Sequence, residues 1–552
     1  MTRRVHLGAA TALLLAGTAL APSGAAAAGC GDLGGLALPG ITVNTAADVA
    51  SYTIPGTTPV VVPGPFCRVT ATAKPVPGSS IEFEVWLPPS GSWNGKFRGE
   101  GSGGSAGAIS YAAMADALSR HYATMANDNG HAGSSWTFSE NPEAVVDFGY
   151  RAQHVTTVAA KAVVEAYYGG RPRYSYFVGC SQGGHHAEME AQRYPEDYDG
   201  IIAGNGAQDW TGVMTSEVWV GLASSVRGAA YDLPQPVLDL VTRATLASCA
   251  AQDSNLASQP YLTDPRDCKF DVGTLQCQAG DDPAQCLSAE QVEAVRLIHG
   301  GAHDPKTGRL IAPGLQPGSE SAWRQFLVGG TQPGGSALSF YRDAVFKDPT
   351  HDFRGFDVRE DVARMEATQY AGQTLPEILN ATSPDFEPFR QRGAKLILYH
   401  GWADPFIAPG FTIDLYRAII RDQARRHSLP QGQALRQVQD FARLFMVPGF
   451  YHCSGGPGPN SFDMLPELER WVEQGIPPKR VLATKYVEDD KAKGVAFTRP
   501  LCAYPQGASY SGQGDTKDAA SFHCVADRSP NGPLSRDFAR ELRTQATAGE
   551  ED

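Results

Sequence analysis

Tyr174-Ser175-Tyr176-Phe177-Val178-Gly179-Cys180-Ser181-Gln182-Gly183-Gly184 is a strand-like run that enters the pattern G-x-S-x-G. The pattern then turns helical, from Gly183 to about Tyr194, and Pro195 ends it. Small residues flank the serine because a sharp strand-to-helix turn leaves no room for large ones, and such a turn presents Oγ above a sheet. Ser181 is therefore the candidate nucleophile; the bland alternative is that it merely caps the helix. The amide of Gln182 and the positive end of the helix dipole suit a developing oxyanion.

Outward from this turn, strand-like runs alternate with helical periodicity, which marks an α/β sheet. Strands are expected at 81–87, 122–126, 174–179, 200–203, 394–400 and 442–447. A helix is expected over 142–168, with Val155, Val158, Ala159, Ala162 and Ala166 on its apolar face. The stretch between the strands at 200–203 and 394–400 far exceeds ordinary loops of about 4–6 residues, so it should be an inserted domain with its own core. The expected division is 1–28 as an export signal, 29–207 and 384–552 as the two parts of the sheet domain, and 208–383 as a lid over the sheet's C-terminal edge.

A nucleophilic serine needs a base, and the base needs an orienting carboxylate; in this kind of sheet they follow in the order Ser, Asp/Glu, His, each after a strand. Lys395-Leu396-Ile397-Leu398-Tyr399-His400-Gly401-Trp402-Ala403-Asp404 places Asp404 just past a buried strand. Phe445-Met446-Val447-Pro448-Gly449-Phe450-Tyr451-His452-Cys453 does the same for His452. An isolated Asp after a strand is ordinarily a turn or cap residue, but order and context reverse that here. His400 and His121 read as core or loop imidazoles. The glycine-rich run 101–107 follows Lys96-Phe97 and could supply a second oxyanion donor beside Gln182, from Gly103 or Gly104. It does not read as a phosphate cradle, because no Lys-Ser/Thr follows and no acidic residue is placed for a ribose.

The chain has 552 residues and a net charge of −13, without a Lys/Arg-rich block, so nucleic acid is not an expected partner. Residues 1–28 carry Arg3-Arg4, an apolar run and Ala26-Ala27-Ala28, the form of a cleavable secretory signal. No later apolar run reaches the roughly 18 residues of a membrane span, so a secreted protein, extracellular or periplasmic, is expected. The ten cysteines are Cys30, Cys67, Cys180, Cys249, Cys268, Cys277, Cys286, Cys453, Cys502 and Cys524, an even set that reads as disulfides in an exported chain. Zinc would need close pairs such as C-x2-C, which do not occur. Lipidation at Cys30, after Ala27-Ala28-Gly29, would leave an odd thiol. Many pairings are open. Local pairs 249–268, 277–286, 502–524 and 30–67 would leave Cys180 and Cys453, the immediate neighbours of Ser181 and His452; a bond between them would bring nucleophile and base together.

Several long strings resemble the tannase/feruloyl esterase family of α/β-hydrolases, which includes the hydrolase of mono(2-hydroxyethyl) terephthalate. They are Gly179-Cys180-Ser181 with His452-Cys453-Ser454-Gly455-Gly456-Pro457-Gly458, Asn127-Asp128-Asn129-Gly130-His131, Ala191-Gln192-Arg193-Tyr194-Pro195, Asp199-Gly200-Ile201-Ile202-Ala203-Gly204 and Arg499-Pro500-Leu501-Cys502. The resemblance covers nearly all of the chain after the export signal. It implies an α/β-hydrolase fold with a large inserted, disulfide-stapled lid, the five disulfides named above, and a serine esterase acting on esters of aromatic acids of feruloyl, galloyl or terephthaloyl type. The implied partner is a small aromatic ester, free or on plant polymer or polyester fragments, and the acyl group is expected between the sheet loops and lid residues at 323–326 and 340–346. No cofactor is expected for the chemistry. The family's lid carries a calcium loop with Asp at the first, fourth and eighth positions after a cysteine; after Cys249, Asp253 alone matches, with Ala250 and Ala257 at the others. Calcium asks for six or more oxygens, so the metal implied by the resemblance would rest on one carboxylate. Two other readings compete: a different serine hydrolase such as a peptidase, and a non-catalytic hydrolase fold that binds a partner, against which the complete Ser181, Asp404 and His452 set argues.

Overall fold

The computed structural model describes residues 27–54, 60–250 and 259–526. The export segment expected at 1–28 falls outside them except for Ala27 and Ala28, and Asp253 falls outside them entirely. Nine strands form the central sheet: β1 (Ile41–Ile54), β2 (Val60–Ala73), β3 (Ile81–Leu87), β4 (Lys96–Glu100), β5 (Ala123–Asn127), β6 (Tyr174–Cys180), β7 (Gly200–Gly204), β8 (Lys395–Gly401) and β9 (Ala442–Val447). Their order is β1-β2-β3-β5-β4-β6-β7-β8-β9. β1 to β3 pair antiparallel, β3 joins β5 antiparallel, and the remainder is parallel.

The parallel strands are apolar on successive residues because both faces are covered. Phe177, Ile201, Leu396 and Leu444 pack on one side, and their neighbours Tyr176, Ile202, Ile397 and Phe445 pack on the other. All six expected strands are present, within a residue or so of their expected ends. The expected helix over 142–168 is also there, as Pro142–Val146, a wide turn at Asp147–Arg151, and a helix Ala152–Tyr168. Its buried face overlaps the expected one and is turned from it: Ala159 is buried and Val155 and Ala166 pack half-buried against the core, but Gln153, Thr156, Thr157, Ala160, Val163 and Val164 also face inward and Val158 is 51% exposed. The reason is polar pairing: Thr156 and Gln153 both serve Asn127 of β5, and Gln153 Nε2 donates to Glu100 O at 3.1 Å. Two inward-facing polar groups with partners override the apolar periodicity.

Residues 205–394 leave the sheet after β7 and return at β8. Among the described residues this insertion carries helices such as Trp210–Ala223, Gln235–Cys249, Ala289–Gly300 and Val358–Ala367. It does not close on a core of its own. Its apolar residues, including Trp210, Trp323, Phe340 and Leu379, pack in one cluster with Trp136, Val145 and Phe148 from before Ser181 and with Ile407 and Phe411 from after β8. At its root the two crossing chains are tied: Ala381 N donates to Gln208 O at 2.7 Å, and Asp209 pairs with Asn380. The five disulfides join Cys30 to Cys67, Cys180 to Cys453, Cys249 to Cys268, Cys277 to Cys286 and Cys502 to Cys524. No helix of the described residues is long and apolar enough to cross a membrane.

Candidate active site

Ser181 stands between β6 and the helix Gln182–Arg193, with φ 64° and ψ −123°. A non-glycine residue in such a conformation carries about 1–3 kcal/mol of strain, which the surroundings must hold. They do so by close backbone approach. A Cβ on Gly179 or on Gly101 would collide with the backbone of Gly183, and Ser181 N donates to Gly204 O of β7 at 2.9 Å. Only glycines let the three chain segments meet there, which explains the small residues around the serine.

The loop after β9 brings His452 Nε2 to 2.8 Å from Ser181 Oγ, and His452 Nδ1 lies 2.8 Å from Asp404 Oδ2. Asp404 is fully buried and its two oxygens divide the work. Oδ1 accepts from the amides of Phe406 and Ile407 at 2.8 and 3.0 Å, while Oδ2 accepts from Asn205 Nδ2 at 2.7 Å as well as from His452. Burial by itself would raise the Asp404 pKa; the charge of His452 and hydrogen bonds from His400 and His452 outweigh it and hold the carboxyl well below the usual carboxylate range. An ionised Asp404 fixes the His452 proton on Nδ1, so Nε2 offers its lone pair to the serine hydroxyl. Asn205, which sequence reasoning missed, holds φ 39° directly after β7. Its place in the string Gly204-Asn205-Gly206 was the available signal, since Asn tolerates positive φ better than most side chains.

Cys180 and Cys453 are bonded, with Cα atoms 6.0 Å apart and a separation of 273 positions in sequence. The bond joins the serine turn to the histidine loop at the residues next to both. Cys453 itself has φ 59°, so the loop is bent sharply where it meets the sulfur. Converting both cysteines to alanine should reduce kcat by about 10–100-fold through misplacement of the base and lower stability by about 2–5 kcal/mol. Steady-state kinetics with thermal unfolding checks this, and a double variant with undiminished kcat would contradict it.

A cavity of about 580 Å³ opens at Ser181, lined by Ser181, His452, Gly101, Ser102, Gly103, Gly104, Val178, Tyr399, Phe406 and the Cys180–Cys453 bridge, with Arg98, Glu100, Ala113 and Asp116 also on its wall. Gly103 and Gly104 thus share the cavity with Ser181. Their loop is held by Asn129, whose Nδ2 donates to Ser102 Oγ and to Ala106 O, both at 2.8 Å, and by Trp136 Nε1 on Ser105 Oγ at 3.0 Å. Gln182 turns its side chain away, Nε2 lying 3.0 Å from His186 Nε2, and its amide opens the helix without a carbonyl one turn earlier to accept it. On the polar wall, burial lifts Glu100 to about 7 even against the attraction of Arg98. Of the lid residues expected at the substrate, Trp323 and Phe340 are wholly buried in the apolar cluster that the insertion shares with the sheet domain. Phe326 does reach the site: its ring stacks on Phe406 at 5.0 Å and meets His452 edge-on at 5.9 Å. Among the described residues the group of side chains close enough to share an ion is Cys30, Asp48 and Cys67, and its two sulfurs are bonded to each other.

The family described as tannase and feruloyl esterase matches residues 67–525. An uncharacterized esterase from Xanthomonas campestris pv. campestris is 38% identical, over 92% of this chain and 93% of that protein. The mono(2-hydroxyethyl) terephthalate hydrolase of Piscinibacter sakaiensis is 34% identical, over 81% of both chains. The crystal structure of feruloyl esterase B from Aspergillus oryzae superimposes with a TM-score of 0.79 and 26% identity, covering 89% of this chain and 98% of that one.

Proposed function

Because the chain belongs to the tannase and feruloyl esterase family and is a carboxylic ester hydrolase, we propose that it cleaves esters of aromatic acids through an acyl-enzyme on Ser181. The observation that carries this is the unbroken line from Ser181 Oγ to His452 to Asp404, at 2.8 Å for each contact, opening on the cavity beside Gly103 and Gly104.

In the first step Ser181 Oγ attacks the ester carbonyl as its proton passes to His452 Nε2. The tetrahedral oxyanion is held by the amides of Gln182 and of Gly103 or Gly104. His452 then gives its proton to the leaving alcohol, and the acyl group stays on Oγ. In the second step water loses a proton to His452, attacks the acyl carbon, and the acid leaves as Ser181 regains its proton. Asp404 keeps the imidazole oriented and stabilises its charge in both steps. Phe406 and Tyr399 give the cavity flat ring faces and Val178 an apolar one, which favour an aromatic acyl group over a peptide backbone. That observation sets the ester reading above the peptidase one. The lid would contribute Phe326 beside His452, and the closed set of five disulfides suits a secreted protein acting on ester-bearing plant or polyester fragments.

The experiment is to offer methyl ferulate, methyl gallate and a terephthalate monoester to the purified protein, with a peptide amide as a fourth substrate. Turnover of at least one aromatic ester and none of the amide is expected. Failure on every ester, or preference for the amide, would overturn the proposal.

A further inference from the structure

His400 lies in β8 and is completely buried. Its sequence context reads as a core imidazole, yet its ring touches the catalytic carboxylate. Nε2 lies 3.0 Å from Ile407 O and 3.3 Å from Asp404 Oδ2. Neither oxygen carries a hydrogen, so Nε2 must carry one. A neutral ring then offers Nδ1 as an acceptor, and Nδ1 is 2.8 Å from Thr412 Oγ1. The threonine hydrogen points there, leaving its oxygen to accept from Gln208 Nε2 at 3.1 Å. Thr412 and Gln208 are as buried as the histidine, so water does not compete for these groups.

Each donor in this line points the same way: Gln208 to Thr412, Thr412 to His400, His400 to Asp404. The outer end is no random spot. Gln208 is where the insertion begins, its carbonyl accepts from Ala381 N on the returning chain, and Asn380 next door holds Thr211 through its side chain at 3.1 and 2.8 Å.

We propose that Gln208, Thr412 and His400 form a buried donor relay that ties the root of the lid to Asp404, with His400 as a positioning residue for the catalytic carboxylate. This rests on the serine mechanism above. Without the Thr412 hydroxyl, the proton stays on Nε2, which still faces Asp404 Oδ2 and Ile407 O, but Nδ1 becomes a buried acceptor with no donor and the ring loses its hold on the side away from the carboxylate. A ring free to shift weakens the contact from Nε2 to Oδ2, which moves the carboxylate and with it His452. None of the three residues is on the cavity wall, so substrate binding should not change.

Thr412→Val keeps the shape of the side chain and removes the hydroxyl; Thr412→Ser keeps the hydroxyl. With 4-nitrophenyl acetate as the probe, Thr412→Val should lower kcat about tenfold at unchanged KM, and Thr412→Ser should restore most of it. The fraction of Ser181 that a fluorophosphonate can label at completion should stay at the wild-type level, which excludes simple unfolding. Gln208→Leu combined with Thr412→Val should cost little more than Thr412→Val alone, because both break one line. Wild-type kcat in Thr412→Val, a loss shared equally by kcat and labelled fraction, failure of Thr412→Ser to rescue, or fully multiplicative double-variant effects would each overturn the relay. Should Ser181→Ala turn over the probe as fast as wild type, the serine mechanism would fail instead, a different result from an inert Thr412→Val.

Discussion

Ser181→Ala is expected to lower ester turnover by about 10⁴–10⁶-fold, the loss seen when a nucleophile that works as a unit with its base is removed. The expectation follows from the geometry. Oγ is the atom 2.8 Å from His452 Nε2, and the turn that presents it is held by contacts that do not involve the hydroxyl. Gly179, Gly101 and Gly183 pack backbone to backbone, and Ser181 N binds Gly204 O. Alanine keeps the same φ of 64° with the same Cβ, so the fold and the cavity should be unchanged and thermal unfolding should move little. Product acid should still bind. Activity above about one per cent of wild type in Ser181→Ala would mean that another group attacks the ester.

Asp404→Asn should cost about 10³–10⁴-fold in kcat, for a reason visible in the donors around the carboxylate. The amides of Phe406 and Ile407 hold Oδ1, so an asparagine would place its carbonyl oxygen there. Its NH2 would then sit where Oδ2 stands, facing three donors: His452 Nδ1, Asn205 Nδ2 and His400 Nε2. His452 must move its proton to Nε2 to relieve that contact, and it then has no lone pair for the serine. Buried donors left unpaired should also destabilise the fold, by about 1–3 kcal/mol each. The stability that Asp404 contributes has a defined pH dependence. Its folded pKa lies below the unfolded value near 3.9, so the contribution is complete above that value and is lost as pH falls toward the folded pKa. In Asp404→Asn this part of the acid sensitivity disappears. The checks are kcat at neutral pH and the unfolding temperature from pH 3 to 7. A variant with near-normal kcat would show that the carboxylate does not orient the base.

The parallel half of the sheet and the three residues in line at its edge were legible because each sits at the end of a strand buried on both faces. Such strands write unbroken apolar runs, and the chemistry must follow them in the loop. The antiparallel edge was less legible. β1 turns Ile41, Val43, Ala46, Val49, Tyr52 and Ile54 toward the core, but bulges near Asn44 and Ala50 stretch their spacing from two residues to three, so the alternation that marks a strand is broken. The groups missed at the site share another trait: they act through side-chain partners that the fold supplies, Asn205 and Asn129 through residues distant in sequence and His400 through the carboxylate four residues on. A lone Asn or His has no period and no spacing, and its role exists only once the partner is beside it. The lid shows the same limit. Aromatics at 323–326 and 340–346 look alike in sequence, but Trp323 and Phe340 fill the cluster shared with the sheet domain while Phe326 turns to the histidine. Which of them turns toward His452 depends on how the insertion packs against Trp136 and Phe148, which lie before Ser181.

The most direct test is to trap the acyl group itself. An aromatic ester with a good leaving group is mixed with excess enzyme, quenched in acid within the burst phase, and the digest is read by mass spectrometry. The account predicts the mass of one acyl group on the peptide containing Ser181, absent in Ser181→Ala and reduced in Asp404→Asn. Efficient turnover with an unmodified Ser181 peptide at every quench time, or the acyl mass on another residue, would contradict it.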